Sequence, residues 1–363
     1  MTAPADFTAL PDLASRRLGG SVVFATDELF AEKENLVKPE PPVFAPAAFG
    51  LRGKVYDGWE TRRHRAPEHD HAIVRLGVPG LVHGVVVDTS FFRGNYPPQV
   101  SVEAVGAEGY PSPAELTAMT WQTLVPRSDA RGDAANVYPV AAPDTRFTHV
   151  RLSVYPDGGV ARFRVHGIPL PDPRFLDGTV DLAALENGGR VTGCSDAFYA
   201  SAGQLILPGR AAGMAEGWEN ARRRGPGHDY VIVALAAAGK LRHAEIDTSW
   251  FIGNAPDRVR LLALDERGGH GGRGGRGGRD PGFADPGWRE VLPLTRVQPD
   301  TRHRFRLDGG VASHVRLDVV PDGGLARLRI HGEIIPEALA GLRRRWQDAL
   351  PPGQRPATAD GDR

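Results

Sequence analysis

The chain has 363 residues, with 44 Lys and Arg against 44 Asp and Glu, so its formal net charge is +0. This balance excludes the global basic field that attracts nucleic acid, and no run of about 18 apolar residues predicts a membrane span. The single Cys194 excludes an internal disulfide framework, and the chain opens without a secretory signal pattern, so we expect a soluble cytoplasmic protein.

The first half of the chain contains short segments of alternating or apolar character between Gly and Pro residues. In chain order, HAIVRLGV, LVHGVVVDT, THVRLSVY and GVARFRVHG each predict a strand. PDGG (156–159) lies between the last two. Because Gly permits positive φ and Pro fixes the entry to a turn, this sequence predicts a tight turn and a β-hairpin.

The second half repeats the first. Residues 149–167 and 314–332 are identical at 14 of 19 positions, and 57–71 is echoed by 216–230 at an offset of 159. A tandem duplication with a period of about 160 residues allows each copy its own core. Many short strands with turn punctuation predict an all-β fold of two tandem repeats, each a β-sandwich or jelly roll. The segment 336–350 predicts a short, amphipathic C-terminal helix.

These patterns predict an N-terminal extension (1–16), a first repeat (17–180), a second repeat (181–335) and a C-terminal helix with a disordered tail (336–363). The Gly/Arg-rich segment 266–282 breaks the symmetry and predicts a disordered surface loop within the second repeat. An RGG-type RNA-binding element is the alternative, although the run is short and lacks aromatic residues.

Candidate functional residues are polar side chains retained in both repeats. In GWE-x-x-R (58–63 and 217–222), Arg63 could bind an anion with Glu60 as its acid/base partner. The alternative is a structural Arg–Glu pair capped by the Trp. The second repeat has Glu219 and Arg222 in these places.

His69 and Asp70 lie at the entry to a predicted strand, as does His228 before the matching Asp of the second repeat. Because His64 and His71 are nearby, one interpretation of these histidines is a metal site in the first repeat. The second repeat has Arg and Tyr at those two positions, which favours a His–Asp pair that fixes a tautomer or braces a loop.

Two further patterns leave a structural and a functional interpretation open. Asp88 and Asp247 follow an apolar strand, where an Asx-turn is common. Asn95 and Asn254 follow Gly and suit a left-handed turn. The functional alternative is that these residues face a ligand cleft. Arg162 and Arg164 share one face of a strand. They indicate either a salt-bridge network between the repeats or a carboxylate-binding site.

The motifs DGWETRRHR with HDH, VVVDTSFFRGNYP, SVVFATDELFAEKENLVKP and the repeated HVRL-x-V-x-PDGG-x-AR-x-R-x-HG resemble the allantoicase family. The resemblance covers about residues 17–335. It implies jelly-roll repeats of a galactose-binding-like type, a homo-oligomer, and hydrolysis of allantoate to ureidoglycolate and urea in purine (ureide) catabolism. The rival hypothesis is a non-catalytic ureide- or carbohydrate-binding protein.

Chemical reasoning assigns roles for that reaction. A guanidinium would hold the substrate carboxylate, amides would hold the ureido groups, and an acid and a base would protonate urea and activate water. The predicted catalytic residues are Glu60, His69, Asp70, Asp88, Glu219 and His228. The predicted substrate-binding residues are Arg63, Asn95, Arg162, Arg164, Arg222, Asp247 and Asn254. The first repeat, or a cleft shared by both, is favoured because Ala221 replaces Arg62. No cofactor is required by the pattern, and a divalent metal ion stays open. No nucleic-acid or membrane partner is expected.

Overall fold

The computed structural model describes residues 7–51, 53–141, 144–266 and 280–355. Most of the Gly/Arg-rich segment and residues 356–363, where disorder was predicted, lie outside this part of the chain. The chain divides into two compact units. The first unit consists of the chain up to Pro171 together with the segment that starts at Gln347. The second unit runs from Asp172 to Trp346.

The first unit contains eleven strands and a short helix within its described residues. They are β1 (Ser21–Ala25), β2 (Phe49–Gly50), β3 (Gly53–Lys54), β4 (Trp59–Glu60), β5 (Asp70–Asp88), β6 (Gln99–Val105), α1 (Pro113–Ala118), β7 (Gln122–Asp129), β8 (Ala135–Pro139), β9 (Phe147–Tyr155), β10 (Gly159–Val160) and β11 (Arg162–Pro169).

The second unit follows a similar order with eight strands among its described residues. Its strands are β12 (Thr179–Asp181), β13 (Arg190–Cys194), β14 (Asp229–Asp247), β15 (Arg258–Leu264), β16 (Arg289–Arg296), β17 (Arg302–Arg306), β18 (Val311–Val320) and β19 (Arg327–Ile334), and the helix α2 (Pro336–Ala349) follows. No helix in the described part of the chain has the length and apolar character needed to cross a membrane.

One long strand organises each unit. The first half of β5 pairs with β1 and β9, and its second half pairs with β8 and β11. In the same way β14 pairs first with β13 and β18, and then with β17 and β19. Alternating apolar residues from both sets of strands, such as Val74, Leu152 and Phe163, meet in one buried cluster. The predicted fold of two tandem all-β jelly-roll sandwiches with a short C-terminal helix is confirmed.

Segments near both ends of the chain pack against the first unit. Leu13 is fully buried, and its amide donates to the Val165 carbonyl over 2.7 Å. At the other end, the Arg146 amide donates to the Ala349 carbonyl, also over 2.7 Å. The boundary proposed at residue 17 stays a prediction, and the described residues before it pack on the first sandwich.

The predicted hairpin at PDGG is wrong. β9 and β11 do not pair with each other; they pair with different halves of β5, so the turn carries the chain from one layer to the other. The residues of this turn instead contact neighbouring loops. The Asp157 carboxylate accepts the His64 amide over 2.7 Å. At Gly158, with φ of +144°, a Cβ would come within 2.5 Å of the Pro97 nitrogen, so this position requires glycine.

The loop after the long strand differs in part from expectation. Asp88 forms the Asx-turn, because its carboxylate accepts the Ser90 amide over 2.8 Å, and Asp247 does the same for Ser249 over 2.9 Å. The left-handed residue is Phe91, with φ of +71°, rather than Asn95. The Asp133 carboxylate accepts the Phe91 amide over 2.8 Å and so holds the strained residue in place.

The buried His149 on β9 makes stability depend on pH. Burial, followed by the positive charge of Arg75, lowers the pKa of His149 from 6.5 to about 4. The folded state therefore keeps the ring neutral, while the unfolded chain binds a proton as the pH falls below 6.5. We expect this group to reduce the free energy of unfolding by about 3 kcal/mol between pH 6.5 and 4.

Urea denaturation at pH 7, 5 and 4 measures this effect, with His149→Gln as the matched variant. The variant should lose less stability on acidification than the wild type, because glutamine does not titrate. Equal acid sensitivity in the two proteins would show that His149 is not the group responsible.

Candidate active site

The candidate site begins at β4, where a buried indole fixes the chain. Trp59 is fully buried, and its Nε1 donates to the Asp27 carbonyl over 2.7 Å. Burial then alternates, since Trp59 and Thr61 are buried while Glu60 and Arg62 are not. Side chains two apart in an extended segment lie on the same side. Glu60 and Arg62 therefore leave the sandwich in the same direction.

Glu60 is paired with an amide rather than with a guanidinium. The Asn95 Nδ2 donates to the Glu60 Oε1 over 2.7 Å, and Asn254 donates to Glu219 over the same distance. Burial raises the pKa of Glu60, and the hydrogen bond from Asn95 offsets this only in part. Glu60 can therefore carry a proton at a higher pH than an ordinary glutamate, as a general acid must.

Arg63 does not form the Arg–Glu pair that was considered from the sequence. Its side chain is exposed and makes no hydrogen bond or ion pair with any residue that the structure describes, and the same holds for Arg222. Both guanidinium groups are therefore open to solvent and to an anionic ligand.

A cleft of about 660 Å³ opens in the first repeat beside this segment. It brings together two of the predicted catalytic residues, His69 and Asp70, with His64 of the metal alternative and with Arg62 and Asp27, which had not been assigned a role. Glu60 and Asn95 are not among the residues that line it. The cleft is polar, and its cationic and anionic groups are arranged in two pairs.

The first pair is Arg62 with Asp27. The Arg62 Nε donates to the Asp27 Oδ2 over 2.6 Å, while 62% of the arginine side chain stays exposed. Burial alone would raise the pKa of Asp27, but hydrogen bonds from the Leu29 amide and from Arg62 lower it, so the carboxylate is ionised. Among the described residues, neither Nη atom of Arg62 has a partner, which leaves a fork suited to a carboxylate.

The second pair is His64 with Asp70. The His64 Nε2 lies 2.8 Å from the Asp70 Oδ2, and its Nδ1 lies 3.3 Å from Glu68. The Thr26 hydroxyl donates to the other Asp70 oxygen over 2.6 Å. The partner of Asp70 is therefore His64 and not the adjacent His69.

His69 also lines the cleft but does not pair with Asp70, because neighbouring residues at a strand entry point to opposite sides. Asp70 is buried, whereas His69 is exposed and its ring stacks on Tyr155 with centroids 4.8 Å apart. In the second repeat, His228 is partly buried with its Nε2 3.3 Å from Asp318. The guanidinium of Arg223, at the position of His64, donates to the Asp229 carboxylate.

The metal alternative based on His64, His69 and His71 has no complete ligand set in the described part of the chain. There, no group of three or more His, Cys, Asp or Glu side chains could hold a metal ion. His64 is bound to two carboxylates, and the His69 and His71 rings are 6.4 Å apart.

Arg162 and Arg164 belong to ion pairs inside the first repeat. Arg162 contacts Asp57 at 2.7 Å and Arg164 contacts Asp12 at 3.4 Å. The equivalent arginines of the second repeat, Arg327 and Arg329, lie near carboxylates of their own repeat. The predicted salt-bridge network between repeats is therefore wrong, since each of these pairs closes within one sandwich.

Comparison with known proteins identifies the family. A family model described as the allantoicase repeat matches residues 11–170 and again 180–335. The chain belongs to the allantoicase family. A probable allantoicase of Nocardia farcinica is 55% identical over 337 residues, which cover 92% of this chain and 97% of the relative. A probable allantoicase of Streptomyces coelicolor is 46% identical over 362 residues, covering 96% and 92%.

Solved allantoicase structures have the same architecture. The crystal structure of allantoicase from Saccharomyces cerevisiae superposes with a TM-score of 0.73 at 31% identity, covering 90% of this chain and 96% of that one. A second allantoicase structure gives a TM-score of 0.72 at 32% identity, with coverage of 88% and 92%.

Within this chain, the two repeats share one feature of the site and differ in another. The Glu–Asn pair occurs in both at the same distance. The cleft residues do not, because Ala221 and Arg223 stand where the first repeat has Arg62 and His64. The internal comparison therefore favours the first repeat, where Arg62 and His64 accompany the Glu–Asn pair, over the second repeat, which keeps the pair and the exposed Arg222 but lacks those two residues.

Proposed function

We propose that this protein hydrolyses allantoate with water to ureidoglycolate and urea, in the breakdown of purine-derived ureides. The observation that carries the proposal is the match of both repeats, 11–170 and 180–335, to the allantoicase family. Relatives named probable allantoicase that span nearly the whole chain support it. The reaction breaks a C–N bond at a carbon that bears a carboxylate and two ureido groups.

Glu60 is the residue we propose to supply the proton. When the C–N bond breaks, the electron pair goes to the departing urea nitrogen, which must be protonated, while water adds to the carbon and loses a proton. A glutamic acid whose pKa is raised by burial meets the first need. Asn95, hydrogen-bonded to it at 2.7 Å, can orient the acid and offer its carbonyl oxygen to a ureido N–H group.

Arg62 and Arg63 are the residues we propose to bind the substrate carboxylate. Both are exposed, and Arg62 lies on the same side of the segment as Glu60. Asp27 holds the Arg62 guanidinium by its Nε at 2.6 Å, which pre-orients the Nη atoms toward the cleft. His69 at the cleft rim stays proposed as the proton-handling partner, with Asp70 positioning His64.

The reaction is tested by urea release from allantoate, measured with the purified protein before and after treatment with a chelator. We expect urea under the first condition. Release that survives chelation supports acid/base catalysis by Glu60 and its neighbours. Release that is lost and restored by a divalent ion would move the proposal to a metal site near His64, His69 and His71. No urea with or without divalent ions would contradict the hydrolase and favour the binding-protein alternative.

We also propose that the protein is a cytoplasmic homo-oligomer with repeats bounded at 17–180 and 181–335. The oligomer follows from the family resemblance, and the location from the composition, with one Cys in 363 residues. Light scattering coupled to size exclusion measures the assembly directly. A mass equal to that of one chain, 39.0 kDa, would contradict it.

A further inference from the structure

The second unit carries a pocket of about 510 Å³ that shares no residue with the cleft of the first repeat. It lies on the outer face of the sheet formed by β19, β14 and β17, and the loop Pro208–Arg210 forms one wall. Its volume is within the range of small-molecule sites. The proposed reaction assigns it no role.

The pocket is specific to the second repeat. Strand registers align His243 with Gly84, Glu245 with Val86 and Arg304 with Val137. Sequence alignment of the preceding segments places Arg210 at the position of Pro41. At all four positions an apolar residue or glycine of the first repeat becomes an ionisable side chain. In the first repeat the Phe7 ring covers Gly84 and contacts His166. A jelly roll of this type therefore does not need these charges in order to fold.

Some charged side chains of the pocket form hydrogen bonds or ion pairs with other residues of its walls. The Arg329 Nη2 donates to the Leu207 and Gly209 carbonyls over 2.5 and 2.6 Å, and its Nε lies 3.5 Å from Asp181. The Arg304 Nε donates to Glu245 over 3.2 Å. These contacts fix the floor and the sides of the pocket.

Two oppositely charged side chains at the pocket, Glu186 and Arg210, are not held by such contacts with its walls. Glu186 makes no hydrogen bond or ion pair with the residues that the structure describes. Arg210 is exposed, and its hydrogen bond is a long one, 3.4 Å to the Ser249 hydroxyl. The His243 and His331 rings also line the pocket and stack on each other with centroids 4.4 Å apart. The site thus offers an anion-binding fork, a hydrogen-bond acceptor and a pair of imidazole rings.

We propose that this pocket binds a small ureido acid, with the ligand carboxylate on Arg210 and its ureido N–H groups on Glu186. The N–H donors of a ureido group match a carboxylate acceptor, its carboxylate matches a guanidinium, and the imidazole rings supply further polar contacts. Binding itself does not depend on turnover; the choice of a ureide as ligand rests on the proposed function. The pocket is then a second ligand site of the chain, separate from the reaction.

Isothermal titration calorimetry with N-carbamoylglycine tests the site. This probe has a carboxylate and one ureido group but lacks the second ureido group of the proposed substrate. Titration in a background that carries both Arg62→Ala and Arg63→Ala removes the two proposed carboxylate contacts of the first repeat. In that background, Arg210→Ala should weaken binding by about tenfold or more, and Glu186→Gln should weaken it by a smaller factor. Arg258→Ala removes an equally exposed arginine of the same repeat outside the pocket and should bind as the background protein does.

The proposal is overturned if the background protein does not bind the probe, or if Arg210→Ala and Glu186→Gln bind it unchanged. Both residues are exposed, so thermal melts of the variants should match that of the background protein. Urea release from allantoate reports on the proposed function separately. If the wild-type protein releases no urea from allantoate but still binds the probe, the proposed reaction is rejected and the proposal of a second ligand site stands.

Discussion

Glu60→Gln is expected to lower kcat for urea release from allantoate by about 10²–10⁴-fold, with a small change in KM. Glutamine keeps the size of the side chain and can still hydrogen-bond to Asn95, so the local structure should persist. It cannot deliver a proton to the departing urea. Because burial raises the pKa of Glu60, the wild type should lose kcat as the pH rises through that raised value. Steady-state kinetics across pH 5 to 9 measure both effects.

Glu219→Gln is the matched control for this prediction. Glu219 has the same amide partner at the same 2.7 Å, in the repeat that lacks the counterparts of Arg62 and His64. We expect its kcat to stay within about threefold of the wild type. A large loss in Glu219→Gln with none in Glu60→Gln would place catalysis in the second repeat. Normal turnover in both variants would reject a carboxylic acid of this motif as the proton donor.

The duplication made much of the fold predictable, but not the path of the long strand. HAIVRLGV and LVHGVVVDT were predicted as separate strands, since Pro79 and Gly80 stand between them. They form the single strand β5 (Asp70–Asp88), whose partners change between Arg75 and Gly80. That change also explains the wrong hairpin. Local turn chemistry predicts where a chain bends, but it does not say which strands pair after the bend.

The site was predictable in its residue types but not in its pairs. Glu60 and Asn95 were both singled out, yet they are 35 positions apart, and nothing local in the sequence relates them. Asp70 was assigned to its neighbour His69, although the buried partner is His64. The exchange of Arg62 for Ala221 between repeats was visible, and it was the available signal for the cleft. Contacts of this kind depend on loops that lack a repeating pattern, so periodicity does not reveal them.

Arg162 shows the same limit, since its spacing from Arg164 predicts a shared face but not how deeply that face is covered. The Arg162 side chain is 1% exposed. Its Nε donates to the Glu40 carbonyl over 2.9 Å, and its Nη2 donates to the Asp57 carboxylate over 2.7 Å. The covering residues near Glu40 have no regular secondary structure. These contacts make Arg162 a structural residue.

Arg162→Met is therefore expected to reduce the free energy of unfolding by about 3–5 kcal/mol, because it leaves several carbonyl groups without their donor and removes the buried guanidinium that pairs with Asp57. Burial alone would raise the pKa of Asp57, and the hydrogen bond from Arg162 is the first contact that lowers it, so that pKa should rise in the variant. Urea denaturation at pH 7 measures the loss, and allantoate kinetics at a temperature where the variant is folded should give an unchanged KM. Arg164→Met, with 18% of its side chain exposed and an ion pair at 3.4 Å, should lose less stability. If Arg162→Met unfolds like the wild type but raises KM, its guanidinium is the substrate ligand that the sequence predicted, and the buried contacts contribute little to folding.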